Sequence, residues 1–263
     1  MFVTIINDCT DGNTRGRQET RVMRLLNVPV SYVEIGNYSE LEAAGNLIDM
    51  LDATDGETGI ILVNSAPRHG RGKKWPNGTP FGYFYYKNTL IITTVAEQTL
   101  SLAKKFGVID TYFLTDIPTV MAAMVSKGKI DAETARRIEK SQFRSFDYVP
   151  RLAKWLLDGV DVPTEVYPLE NIEDVPQAVW WVDNFGNCKL SVVAEDIGHE
   201  QGKIIKTKVG DIECFDRMKD VPNDKPGLIV GSSGLGNKRF LELIVQGQPA
   251  GTVFNLKPGD RIL

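Results

Sequence analysis

The stretch SELEAAGNLIDMLDATDGETGIILV, residues 39–63, is where the fold class is decided. Ser39-Glu40-Leu41-Glu42 has the form of a capping box. The serine hydroxyl accepts from an orphan helix amide, and the glutamate reaches back to the serine's own amide. Behind it Leu41, Ala44, Ile48 and Leu51 fall on one helical face. Gly59–Val63 then runs apolar without a break, as expected of a strand buried on both faces. A helix feeding a doubly buried strand is the repeating unit of an α/β sheet.

Outward from this unit the same alternation continues. Phe2–Ile6 and Leu90–Thr94 read as further buried strands. Ala96–Phe106 is amphipathic and stops at Gly107, a residue suited to a left-handed cap. Asp131 opens a polar helix, and Pro150–Leu157 is a helix with proline near its start and Gly159 past its end. Residues 1–160 are therefore expected to form an α/β domain with a parallel or mixed sheet and crossover helices. Residues 161–176, with Pro163, Pro168, Pro176 and several acids, read as a linker. After it come short β-rich runs separated by turn residues: Ala178–Val182, Lys189–Val193, Lys203–Val209, Leu228–Val230 and Phe240–Val245. They predict a second, small all-β barrel or sandwich over residues 177–263.

Composition excludes several classes. Of 263 residues 42% are hydrophobic and 24% charged, with a net charge of −4, which rules out a disordered or low-complexity chain. Mild acidity argues against general nucleic-acid coating, which needs clustered Lys and Arg. Cys9, Cys188 and Cys214 are odd in number and far apart, so neither a disulfide framework nor a zinc knuckle is expected. The opening MFVTIINDCT is too short an apolar run for a signal peptide or membrane span, and no later stretch reaches spanning length. A soluble cytoplasmic protein with reduced cysteines and no membrane partner is expected.

Chemistry-bearing residues collect after strands. Asp8-Cys9-Thr10-Asp11-Gly12-Asn13 follows the first strand, where short acidic side chains either accept from hydroxyls or make caps and turns. Past Val63, the loop Asn64 to Lys74 carries Arg68, His69, Arg71, Lys73 and Lys74 at the edge where α/β sheets gather ligands. The run Gly231-Ser232-Ser233-Gly234-Leu235-Gly236-Asn237-Lys238 is no phosphate loop, because Asn237 separates the lysine from the last glycine. The absence of GxGxxG removes a dinucleotide fingerprint and that of GxSxG a nucleophile elbow, and with only His69 and His199 and no HExxH a His-rich metal site is not expected. His199, between Gly198 and Glu200, reads as an exposed turn residue. Asp183-Asn184-Phe185-Gly186-Asn187 reads as a hairpin turn. It also offers a stacking ring, a two-way amide and a carboxylate.

The order of these pieces resembles the S-adenosylmethionine hydroxide adenosyltransferase family, which includes the fluorinases and chlorinases. Trp181 to Asn187 is similar to its D-x-F-G-N segment. Gly231 to Gly234 with Phe240-Leu241-Glu242-Leu243 is similar to its N-S-x-G-Y-L-E-I-A strand. Pro249-Ala250 through Leu256-Lys257-Pro258-Gly259-Asp260 resembles its small-residue turn and closing L-K-x-G-D. In the first domain Asp8 falls on the aspartate that holds the ribose hydroxyls, and Asn13 stands where a second aspartate is common. Asn88-Thr89-Leu90-Ile91 resembles N-G-L-L. Asn64 and Arg71 keep the spacing of D-P-G-V-G-x-x-R, with asparagine in place of aspartate. Ser141 to Pro150 resembles T-F-H-G-R-D-x-F-A-P, with Phe143 at the histidine.

The resemblance implies that water attacks ribose C5′ of S-adenosylmethionine and methionine leaves, giving adenosine without a further cofactor. It implies Arg71 and Asn64 as catalytic candidates, and His69, two residues from Arg71 in the sequence, is a candidate substitute for the missing base. Asp8, Asn13, Asn88, Asp183, Phe185, Asn187, Ser232 and Ala250 become the ligand-binding candidates. It also implies a homotrimer that binds the nucleoside between one subunit's first domain and its neighbour's second. Because Asn64 and Phe143 replace two catalytic types, an impaired adenosine- or S-adenosylmethionine-binding protein is the alternative. A third reading, an anion- or nucleic-acid-binding protein, would use the basic loop at 68–74.

Overall fold

A computed structural model of the chain describes residues 1–66, 75, 78–95 and 98–263. The first domain is a mixed sheet of seven strands. In chain order these are β1 (Phe2–Asn7), β2 (Val30–Glu34), β3 (Gly59–Asn64), β4 (Phe81–Tyr86), β5 (Thr89–Thr94), β6 (Tyr112–Thr115) and β7 (Glu165–Tyr167). Their spatial order is β2-β1-β3-β5-β4-β6-β7. The strands β2, β1, β3 and β5 run parallel, while β4 turns back antiparallel between β5 and β6. The sheet is thus of the parallel-to-mixed α/β kind that the helix–strand alternation predicts.

Helices cover both faces. Those of the first domain are α1 (Gly12–Leu26), α2 (Glu40–Ala53), α3 (Ser101–Phe106), α4 (Ile117–Ser126), α5 (Ala132–Glu139), α6 (Arg144–Asp147) and α7 (Val149–Leu157). Local signals set several ends. Asp131 caps α5 by accepting from the Thr134 amide at 2.7 Å, and Gly107 and Gly159 close α3 and α7 with positive φ. The capping box at α2 does not form. Glu42 reaches past Ser39 and accepts from the Gly36 amide at 2.5 Å, because the approach to the helix bends back over its first turn.

The second domain is a six-stranded half-barrel. Its strands are β8 (Val179–Val182), β9 (Cys188–Val193), β10 (Ile204–Thr207), β11 (Gly210–Phe215), β12 (Pro226–Leu235) and β13 (Lys238–Val245), in the order β10-β11-β12-β13-β9-β8. The short helices α8 (Ala194–Ile197) and α9 (Ala250–Val253) lie beside them. The C-terminal tail ties the two ends of this sheet together. Val179 donates to the Asp260 carbonyl at 2.9 Å, and Lys208 donates to the Ile262 carbonyl at 2.9 Å. The glycine-rich run at 231–236 lies in the β12–β13 hairpin, where the register shifts between Val230 and Gly234.

Two regions differ from the sequence reading. The segment 161–176 is more than a linker: β7 pairs antiparallel with β6, Tyr167 packs edge-on against Tyr112, and Ile172 is buried. The helix α2 is buried on two sides rather than one. Its Leu41, Ala44, Ile48 and Leu51 are joined in the core by Ala43 and Leu47, and the same cluster includes Trp180, Val193 and Phe240 of the half-barrel. The domains therefore share one hydrophobic core. At Gly45 the approach is so close that a Cβ would stand 2.1 Å from Trp180 Cε3. Among the described residues no helix is long and apolar enough to cross a membrane.

Candidate functional site

The C-terminal ends of β1 and β3 lie side by side, with Asn7 and Asn64 in register. Asn64 Nδ2 donates to Asn7 Oδ1 at 2.9 Å, and Asn7 Nδ2 donates to Gln18 Oε1 on α1 at 2.8 Å. Gln18 Nε2 donates to the Tyr32 hydroxyl at 3.3 Å, and that hydroxyl donates to the Cys9 carbonyl at 2.7 Å. Four side chains thus form a neutral hydrogen-bonded chain across the strand ends. Ser145 joins Asn7, Gln18 and Asn64 around a small cavity, so the 141–150 segment converges on the β3 end as well.

Asp8 follows directly and is buried. Its Oδ2 accepts from the Ala66 amide at 2.8 Å and the Tyr38 amide at 3.2 Å, while Oδ1 faces the Cys9 thiol at 3.6 Å. Burial raises its pKa above the ordinary aspartate value, against the lowering effect of those donors. A carboxylate with one oxygen engaged by backbone and the other meeting only a weak thiol donor can still accept a ligand hydroxyl. Asp11 takes the other use open to this loop: it caps α1 by accepting from the Thr14 amide at 3.0 Å. Asn13 is exposed in that helix's first turn.

Asn88 does not join this group. It sits before β5, at the opposite edge of the parallel strands, and donates to the Gly56 carbonyl at 3.0 Å. Arg68, His69, Arg71, Lys73 and Lys74 lie outside the described residues. Phe143 stacks on Phe146, with the Arg17 guanidinium over both rings.

In the half-barrel, Asp183, Phe185 and Asn187 share one tight turn. Asp183 Oδ1 accepts from the Phe185 and Asn187 amides, each at 2.9 Å, and its Oδ2 accepts from Asn187 Nδ2 at 3.1 Å. Gly186 has φ +83, and a Cβ there would stand 2.3 Å from Pro249 Cβ. Its carbonyl accepts from the Gly251 amide at 2.8 Å. The turn is therefore held from within and from below, and it presents Phe185 72% exposed. Ala250 is fully buried beneath it, so it supports the turn and offers no side chain to a ligand. Ser232 is exposed on the β12 bulge, with its carbonyl accepting from Arg239 Nη1 at 3.1 Å. Among the described residues no hydrogen bond or ion pair links the Asp8–Asn64 group to the 183–187 turn. His199 is half-buried rather than exposed, with Nε2 3.1 Å from the Leu228 carbonyl oxygen.

A polar cluster at the domain junction was not legible in the sequence. Asp49 on α2 accepts from Ser233 Oγ and, at 2.9 Å, from the Gly234 amide. Lys189 donates to Ser233 Oγ at 2.6 Å and lies 3.8 Å from Asp49. Glu242 is buried nearby, and burial raises the pKa of both carboxyls above their ordinary values. Asp52 completes the seam with Arg239 at 2.7 Å. The spacing of Asp49 and Asp52 marks a polar helix stripe, yet their partners lie more than 180 residues away in sequence.

Two solved structures share this architecture. One is an uncharacterized conserved protein from Thermotoga maritima, 15% identical over 99% of this chain and 98% of that one, with a TM-score of 0.66. The other is a conserved hypothetical protein from Thermus thermophilus, 17% identical over 100% and 99%, with a TM-score of 0.65. No family model and no curated protein matches the sequence. At these identities the likeness establishes the full-length two-domain fold that this chain shares with both proteins.

Proposed function

We propose that the chain is a divergent S-adenosylmethionine hydroxide adenosyltransferase-like protein that binds S-adenosylmethionine or adenosine. The Asp8 edge of one copy would take the ribose, and the 183–187 turn of another would take the adenine. The observation that carries this reading is Phe185. A large aromatic ring exposed on a turn fixed by Asp183 and Pro249 has no packing duty of its own, and it is suited to stacking on a base. Asn187 beside it supplies an amide, and the buried Asp8 supplies an acceptor for hydroxyls.

In the hydrolytic reaction water attacks C5′, the C5′–S bond breaks with its electron pair leaving on methionine sulfur, and a proton is lost from the attacking water. The substrate carries its own activation, so the protein's contribution is to bind and aim. Arg71 would orient the water through fixed donors. Asn64 supports a slow enzyme or a binding protein: its amide is engaged by Asn7 and takes no proton at neutral pH. A missing general base typically costs about 10²–10⁴-fold in rate.

Calorimetric titration with adenosine and S-adenosylmethionine, run beside an assay of adenosine release, tests the reading. Saturable binding should weaken by about 1–3 kcal/mol in folded Phe185→Ala. Unchanged affinity in that variant, or no binding by the wild type, rejects it. Release lost in Arg71→Ala supports the hydrolase; tight binding without release supports the binding protein.

A further inference from the structure

On its outer side, α1 presents Arg17, Arg21 and Arg24 at spacings of four and three, along one stripe of helix surface. Arg137 on α5 and Arg151 on α7 close on the same place. Asp147 at the end of α6 is the shared partner. Its Oδ1 lies 3.4 Å from Arg21 Nη1 and 3.2 Å from Arg137 Nη1, and its Oδ2 accepts from Ser141 Oγ at 2.6 Å. Its carbonyl accepts from Arg151 Nη1 at 2.5 Å. Arg21 also lies 4.0 Å from the Phe146 ring centre, and Arg17 lies 4.6 Å from it.

Among the described residues Asp147 is the one carboxylate that forms an ion pair with any of these five guanidinium groups. Arg17 and Arg24 donate to no described residue. Four positive charges are left over in a chain whose net charge is −4. The crowding is felt within the group: burial and then the charges of Arg21 and Arg137 push Arg151 down to about 10. Gathering like charges is unfavourable unless an anion offsets them.

We propose that the Arg17–Arg21–Arg24–Arg137–Arg151 cluster is a binding site for a small ligand bearing a diphosphate or triphosphate group. Guanidinium forks match phosphate oxygens in pairs, and a surplus of four charges suits a multiply charged phosphate better than a carboxylate. The cluster is also compact. Arg21, Arg137 and Arg151 close on Asp147, through its carboxylate or its carbonyl, and Arg17 joins Arg21 against the Phe146 ring, instead of spreading along a face as a surface that tracks many phosphates of a polymer requires.

The proposal is independent of the adenosine reading, since neither Asp8 nor Phe185 takes part. Calorimetry at physiological ionic strength, using inorganic pyrophosphate, orthophosphate and a short single-stranded DNA, tests it. Pyrophosphate should bind saturably at one site and more tightly than orthophosphate. Arg24→Gln and Arg137→Gln should each weaken it about tenfold, as loss of a charge-assisted hydrogen bond does. Lys219→Gln, on the half-barrel, should leave it unchanged. Arg24 is on the exposed side of α1, so its variant reports even if Arg137→Gln fails to fold. The proposal is overturned by an absence of saturable pyrophosphate binding, by equal weakening in Lys219→Gln, by no weakening in Arg24→Gln, or by binding of the DNA alone.

Discussion

Glu242 shows how a single side chain can set the chain's response to pH. It is buried at the domain junction, and burial raises its pKa above the ordinary 4.5, opposed by Lys189 and reinforced by Asp183 and Asp49. A raised folded-state value means that the folded chain holds this proton more tightly than the unfolded one. Its contribution to stability is then fully present below the unfolded value and is lost as pH rises through the folded value. The wild type should therefore gain stability relative to Glu242→Gln as pH falls from 7 toward about 5. Urea unfolding of both proteins across that range checks it, and parallel profiles would contradict the assignment. Asp49 is shifted in the same direction by the same cause, so some slope remains in the variant.

At the scale of an element, α2 carries the join between the domains. Its apolar stripe packs on the sheet, Asp49 and Asp52 bind the β12–β13 hairpin, and Gly45 admits the Trp180 ring. Gly45→Ala would improve helix propensity locally but drive a methyl into a fully buried indole. It should destabilise the chain by about 1–3 kcal/mol or more. Gly16 on α1 has nothing within 4 Å of its Cβ position, so Gly16→Ala should stabilise by up to about 1 kcal/mol. Opposite shifts in the urea midpoints of these two variants are expected. A Gly45→Ala protein as stable as wild type would mean that the domains do not pack as described.

For the whole molecule, the arrangement of the candidate site has a consequence. Asp8 accepts from Tyr38, just before α2 begins. The 183–187 turn is held on the half-barrel by Pro249 and Gly251. The two groups therefore stand on different domains of the chain. If one copy supplies the ribose site and the next the adenine site, as proposed, a trimer would close such a head-to-tail contact into a ring. Sedimentation at micromolar concentration should show an oligomer, and Phe185→Ala mixed with Asp8→Ala should regain binding sites that neither has alone. A monomer that binds adenosine tightly would defeat this expectation.

What neighbours along the chain can enforce is readable in the order of the residues. Gly59–Val63 and Leu90–Thr94 announce buried strands because they run in apolar and β-branched residues with no charge to keep one face in water. Asp131, Gly107 and Gly159 announce helix ends because capping acts over three or four residues. The Asp183–Asn187 turn was legible for the same reason, since the Asp183 carboxylate and the Gly186 φ are satisfied within the turn. Tertiary structure alone decided the rest. It placed β7 in a stretch read as a linker, through pairing with β6 and the contact of Tyr167 with Tyr112. It sent Glu42 to the Gly36 amide rather than to the Ser39 amide, and it put Asn88 at the far edge from Asn64. It also joined Asp49 to Ser233 across 184 residues. A local pattern specifies which face of an element is apolar, but the partner of that face is set only by how the elements pack.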